Sequence, residues 1–226
     1  MSFQLIRRLT PTVNAVNNYV GRAEEKLAHA SASFSFDFRG KTVLDIGSST
    51  GGFTELALTR GAKKVIAVEK GSHQMKAPLR FDPRIELHEK TDIFDFTLEM
   101  GDDWRGTPKM FAKQNFGGGS RQDPFPDVIV ADVSFLSLTK ILKYAKIHLS
   151  RSNTDFLVML KPQFEARPDQ LKNGVVKNET IRRDIIKHFE FWLKTNGFII
   201  INKHDNELHG KTGNIERFYW LRKAGK

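Results

Sequence analysis

Four charged residues far apart in the chain carry side chains that can take up, release or neutralise protons. They are Lys26 in "YVGRAEEKL", Asp132 at the end of "VIVAD", Lys161 after "FLVML" and Glu216 in "GKTGNIERF". Each has a plain alternative. Asp132 could cap a helix starting at Ser134, Lys161 could be a solvated strand end, and Lys26 and Glu216 could be surface charges. Asp132 and Lys161 both close apolar runs, and in a parallel sheet the carboxyl ends of strands face one crevice, so these two belong beside whatever that crevice binds.

A second group surrounds "VLDIGSSTGGF", residues 43–53. A strand ending near Asp45, then Gly47, Ser48, Ser49, Thr50, Gly51, Gly52 and Phe53, turns backbone N–H groups and a helix start toward a ligand over the strand's edge. The next apolar run, "KVIAVEK", ends in Glu69, placed to accept from both hydroxyls of an adenosine ribose. "EKTDIF" follows a third run, and its Asp92 is placed to accept from an adenine amino group. The glycines do not form G-x-G-x-x-G. Asp45 discriminates between ligands: a carboxylate there would repel a pyrophosphate, but it attracts the sulfonium and ammonium of S-adenosylmethionine. The remaining alternative is a plain helix-start turn with Asp45 as a structural cap.

These residues need a scaffold that brings strand ends together. β-Branched and apolar runs predict strands near 42–46, 64–68, 84–88, 127–132, 154–160, 197–203 and 215–222. Helical spacing predicts helices near 22–31, 51–60, 72–80, 135–148 and 178–195, with Asn178 as the cap of the last. Alternation of this kind predicts an α/β fold, a Rossmann-like, seven-stranded, mostly parallel sheet with helices on both faces. Residues 1–20 read as a basic lead-in and 21–226 as one domain. Segment 97–126, with "GGGS" and "DPFP", reads as a flexible insertion.

Composition narrows the chemistry. The 226 residues suffice for one core of their own, and none is cysteine, which excludes disulfides, thiolate ligands and thiol nucleophiles. No cluster reads as a metal site. Thirty-six Lys and Arg against 26 Asp and Glu give a formal net charge of +10, which favours a polyanionic partner without identifying it. No apolar run approaches the ~20 residues that cross a bilayer, and no signal peptide is evident, so the chain reads as soluble and cytoplasmic, without a membrane partner.

Taken in order, "YVGRAEEKL", "VLDIGSSTGGFTELALTRGAKKVIAVE", "DVSFLSL", "KPQFEA" with "NGVV" downstream, and "GNIE" resemble the TlyA-type branch of the FtsJ-like ribose methyltransferases, over residues 19–220. The resemblance implies a class I S-adenosylmethionine-dependent fold and 2′-O-methyl transfer to RNA, with ribosomal RNA as the partner. It implies a Lys-Asp-Lys-Glu tetrad at Lys26, Asp132, Lys161 and Glu216. It implies cofactor contacts at Gly47 to Phe53, together with Asp45, Glu69, Lys70, Asp92, Ile93 and Asp132. Two departures stand out. Such proteins usually carry a small N-terminal RNA-binding domain, where about twenty residues stand here, and Gly21 and Ala23 replace the usual serine and glycine.

A ribose hydroxyl is a poor nucleophile, so the reaction needs a base as the C–O bond forms, and Lys161 is assigned that role. Lys26 and the sulfonium favour its neutral form; Asp132 and Glu216 favour its charged form and orient both lysines. Two alternatives stay open: a methyltransferase with a non-RNA acceptor, and a non-catalytic RNA-binding or ribosome-assembly factor that keeps the cofactor pocket. Base amino-methylation is disfavoured, because "DVSF" stands where an Asn/Asp-Pro-Pro-aromatic motif would be needed. Pore formation, suggested by the haemolysin label of some relatives, lacks a spanning helix or barrel hairpin in the sequence.

Overall fold

The computed structural model describes residues 21–98, 124–206 and 213–225. The 1–20 lead-in and most of the 97–126 segment lie outside the described residues.

Seven strands form one sheet: β1 (Thr42–Ile46), β2 (Lys64–Val68), β3 (Ile85–His88), β4 (Val128–Ala131), β5 (Asp155–Leu160), β6 (Phe198–Asp205) and β7 (Arg217–Lys223). The order across it is β3-β2-β1-β4-β5-β7-β6. All pairings are parallel except those of β7, which runs antiparallel to both β5 and β6. The predicted α/β Rossmann-like sheet is therefore present. The chain order reverses between β1 and β4, which opens a crevice outside their carboxyl ends, the usual binding place in doubly wound sheets.

Five α-helices are described: α1 (Arg22–Ser33), α2 (Gly52–Thr59), α3 (Leu138–His148), the single turn α4 (Pro162–Glu165) and α5 (Glu179–Thr195). Asn178 caps α5 as its sequence position predicts, accepting from the backbone N–H groups of Thr180 and Ile181. α3 begins at Leu138 rather than near 135, with Ser137 as its cap. The helix predicted over 72–80 is absent, and only a 3-10 turn at Leu79–Phe81 remains. Pro78 lacks a donor and obstructs the preceding turn. Gln74 instead bonds the side chains of Ser49 and Glu69.

Side chains alternate across a strand, so the sheet sorts its residues onto two faces. Val43, Val65, Val130, Met159 and Phe218 pack with Leu27, Phe53 and Leu56 of α1 and α2. Leu44, Ile66, Ala131, Leu160 and Tyr219 pack on the other face with Ile141 of α3 and Phe189 of α5. All six residues of β5 are buried, as expected for a central strand covered on both sides. Continuing the same alternation places Asp45, Glu69, Asp132, Lys161 and Glu216 on the face that α1 and α2 cover.

Candidate active site

The glycine loop leaves β1 with Gly47 at φ +78° and meets α2 through Gly51 at φ +98°. At Gly51 a side chain would be strained, and a Cβ would lie 2.4 Å from Leu79 Cδ2. A Cβ on Gly52 would lie 3.0 Å from the Glu24 backbone nitrogen and 3.1 Å from Ala23 Cβ, so α1 rests directly on the start of α2. The loop is tied down from the β2 side. Gly47 and Ser48 donate backbone N–H to the Val68 carbonyl, and Ser49 N–H donates to Glu69 Oε2 at 2.9 Å.

Asp45 is buried one layer beneath this loop and does not line the cavity above it. Thr54 Oγ1 donates to its Oδ2 at 2.7 Å, while Oδ1 and the neighbouring Ser48 hydroxyl are buried without a hydrogen-bond partner among the described residues. Burial pushes the Asp45 carboxyl up to about 7; the Thr54 hydrogen bond opposes this and the charges of Asp132 and Glu69 add to it. Beyond β3, Asp92 accepts from Lys70 Nζ at 2.9 Å and from Phe94 N–H at 3.1 Å. These contacts, the Lys70 bond first, hold its carboxyl below the usual range. Ile93 is buried behind it in the α3-side core, and Lys70 is exposed.

The four charged residues form two close ion pairs. Lys161 Nζ stands 2.6 Å from Asp132 Oδ1 and donates to Ser134 Oγ at 2.9 Å. Lys26 Nζ stands 2.5 Å from Glu216 Oε2. Strand register explains how residues so distant in sequence meet. Leu160 of β5 pairs with Arg217 of β7, so Lys161 and Glu216 each sit one residue beyond that last pair, at the same edge of the sheet. Asp132 is not a helix cap, because α3 starts six residues later under Ser137.

A cavity of about 160 Å³ lies between the glycine loop and the Lys161–Asp132 pair, with Lys26 and Glu216 outside its walls. Its walls include Gly47, Ser48, Ser49, Thr50, Gly52 and Phe53 from the loop, Ala23 from α1, and Asp132, Ser134 and Lys161 from the ends of β4 and β5. That volume is below the ~300 Å³ at which small-molecule pockets begin, and Glu69 and Asp92 are not in its walls. A larger depression of about 480 Å³, between Val176, Arg182 and Ile215, contains none of the four charged residues in its walls. The smaller cavity is the candidate site because the chemistry lines it. Among the described residues no cluster of metal-ligating side chains occurs, and no helix is long and apolar enough to cross a membrane.

Residues 19–223 match the family model described as FtsJ-like methyltransferase. The chain belongs to the FtsJ-like methyltransferase family. Methyl transfer is accordingly its reaction class. It is similar to Hemolysin A of Brachyspira hyodysenteriae, with 36% identity over 92% of this chain and 79% of the relative. It is also similar to the 16S/23S rRNA (cytidine-2′-O)-methyltransferase TlyA of Mycobacterium tuberculosis, with 32% identity over 95% of this chain and 72% of the relative. A solved structure of a proposed hemolysin from Streptococcus thermophilus superposes with a TM-score of 0.78 at 29% identity, covering 94% of this chain and 70% of that one.

Three contacts escaped sequence reasoning. Thr54 was hidden inside the apolar helix "GFTELALT", where a buried hydroxyl is itself a signal. Ser134 lies two residues beyond Asp132 and bonds Lys161. Glu165 closes the "KPQFE" turn and bonds Ser137 and Leu138.

Proposed function

We propose that this chain transfers a methyl group from S-adenosylmethionine to a ribose 2′-hydroxyl of RNA, with ribosomal RNA as the substrate. The observation that carries the reading is the placement of both ion pairs, Lys161–Asp132 and Lys26–Glu216, at one edge of the sheet, the first of them in the same cavity as the glycine loop. The name of the Mycobacterium tuberculosis relative and the net charge of +10 support the choice of acceptor.

The residues present fit the cofactor. The Ser48 hydroxyl, unpartnered among the described residues and in the cavity wall, suits its methionine end. Asp45, sealed beneath the loop, supports that loop rather than touching the ligand. Glu69 and Asp92, which follow β2 and β3, suit the adenosine. When bound, the cofactor supplies an electrophilic methyl on a sulfonium. In its neutral form, after losing its own ammonium proton, Lys161 Nζ would take the proton of the acceptor hydroxyl as that oxygen gains its bond to carbon, the electron pair of the broken carbon–sulfur bond staying on sulfur. Asp132 and Ser134 hold the amine in place and balance its charge once it is protonated. The Lys26–Glu216 pair lies outside the cavity wall, at the same edge of the sheet, and adds no net charge. Much of the acceleration comes from holding the hydroxyl in line with the methyl, an effect worth up to ~7–11 kcal/mol in well-oriented systems.

Mapping 2′-O-methyl positions in ribosomal RNA from cells with and without the gene tests this reading. A position methylated only when the gene is present supports it, and identical maps count against it.

A further inference from the structure

The segment after β4 and the turn after β5 are laced together by four contacts in matching order. Asp132 pairs with Lys161, Ser134 bonds Lys161, the rings of Phe135 and Phe164 stand 5.3 Å apart, and Glu165 grips the start of α3. The first two contacts belong to the site already described. The last does not. Glu165 Oε2 accepts from the Ser137 hydroxyl at 2.7 Å, and Oε1 accepts from the backbone N–H of Leu138 at 2.7 Å.

This grip falls where the chain needs it. α3 has no acidic residue in its own first turn, so Glu165, from another element, supplies the negative charge that a helix N-terminus favours. Between Asp132 and Ser137 the backbone has no regular structure and passes through Phe135 at φ +65°, a conformation that bulky residues rarely adopt. The Phe135 side chain is 88% exposed, so burial does not hold this conformation. The segment is held at one end by Asp132 on Lys161 and at the other by Glu165.

We propose that Glu165 is a positioning residue for methyl transfer: by clamping the start of α3 it fixes segment 132–137, and with it Asp132 and Ser134 relative to Lys161. This rests on the reading of the site given above. Glu165 is not in the cavity wall, so its removal is expected to lower kcat and spare cofactor affinity.

The test compares Glu165→Ala and Glu165→Gln with Asn178→Ala, which removes a helix cap of the same kind from α5. Turnover on ribosomal RNA, S-adenosylmethionine affinity by calorimetry, thermal midpoint and hydrogen–deuterium exchange are measured on each full-length variant. Glu165→Ala is expected to lower kcat roughly 10- to 100-fold, the scale of a small misplacement of reacting groups, with cofactor Kd within about twofold. Glu165→Gln keeps an acceptor for Leu138 but not for the Ser137 hydroxyl and falls between. Asn178→Ala lowers the thermal midpoint with kcat unchanged. A Glu165→Ala variant whose kcat falls no more than that of Asn178→Ala overturns the proposal. Exchange of the 132–138 peptide reads the clamp independently of turnover: it rises in Glu165→Ala and not in Asn178→Ala, and unchanged exchange overturns the clamp even if the wild type transfers no methyl to RNA. Absence of transfer by the wild type itself counts against the functional reading instead.

Discussion

Lys26 on α1 and Glu216 ahead of β7 are 190 residues apart and meet at 2.5 Å, with side chains only 12% and 6% exposed. Breaking one partner of such a pair leaves a buried charge uncompensated, a cost of about 3–5 kcal/mol, whereas replacing both with apolar groups of similar volume is often close to neutral. Lys26→Met and Glu216→Leu are each expected to lower the urea midpoint strongly, and the double variant to recover most of it. Methyl transfer stays lost in all three. A double variant that regained both stability and activity would reduce the pair to a structural strut.

Lys161 is assigned the proton transfer, so Lys161→Ala should lower the single-turnover rate by about 10²–10⁴-fold, the range typical of a positioned general base. Cofactor affinity by calorimetry should stay within a few-fold. Lys161→Arg is the sharper variant: a guanidinium retains the charge facing Asp132 but does not give up its proton at accessible pH. Comparable rates for Lys161→Arg and wild type would remove Lys161 from the role of base.

Asp45 gives a pH signature. Its carboxyl is pushed up to about 7 in the folded chain from an ordinary value of 3.8, so between those pH values the native state binds more proton than the unfolded state. Stability contributed at this position is therefore present at low pH, falls as pH rises from about 4 to about 7, and stays lost above. Asp45→Asn cannot ionise, so the wild-type stability minus that of Asp45→Asn should decline across that window. Chemical denaturation at a series of pH values measures it, and a constant difference would contradict it.

Gly52→Ala tests the contact between α1 and α2. The added methyl would meet the Glu24 backbone and Ala23 Cβ at 3.0 and 3.1 Å, and overpacking of this kind costs about 1–3 kcal/mol. Because α1 carries Lys26, the thermal midpoint and the transfer rate should fall together. An unaltered rate alongside a lowered midpoint would show that α1 can shift without disturbing the site.

Much of the sheet was legible because its strands are short apolar runs at regular spacing. Asp132 and Lys161 stood out because each closes such a run, whereas Lys26 and Glu216 were marked only by the resemblance of "YVGRAEEKL" and "GNIE" to family segments. The pairing of Lys161 and Glu216 at one edge was not legible. It depends on β7 entering antiparallel with Arg217 opposite Leu160, a register that no local pattern specifies. Residues 72–80 misled because their polar and apolar spacing resembles a helix while Pro78 forbids a regular one. The partners Thr54, Ser134 and Glu165 act through hydrogen bonds between elements that only the fold brings together.

The most direct test of the account incubates the protein with methyl-labelled S-adenosylmethionine and ribosomal RNA, then hydrolyses the RNA in alkali. A 2′-O-methyl group blocks cleavage of the neighbouring phosphodiester, so label should appear in alkali-resistant dinucleotides, and should be absent with Lys161→Ala. Label recovered in base-modified mononucleotides, or none transferred to RNA by the wild type, would contradict it.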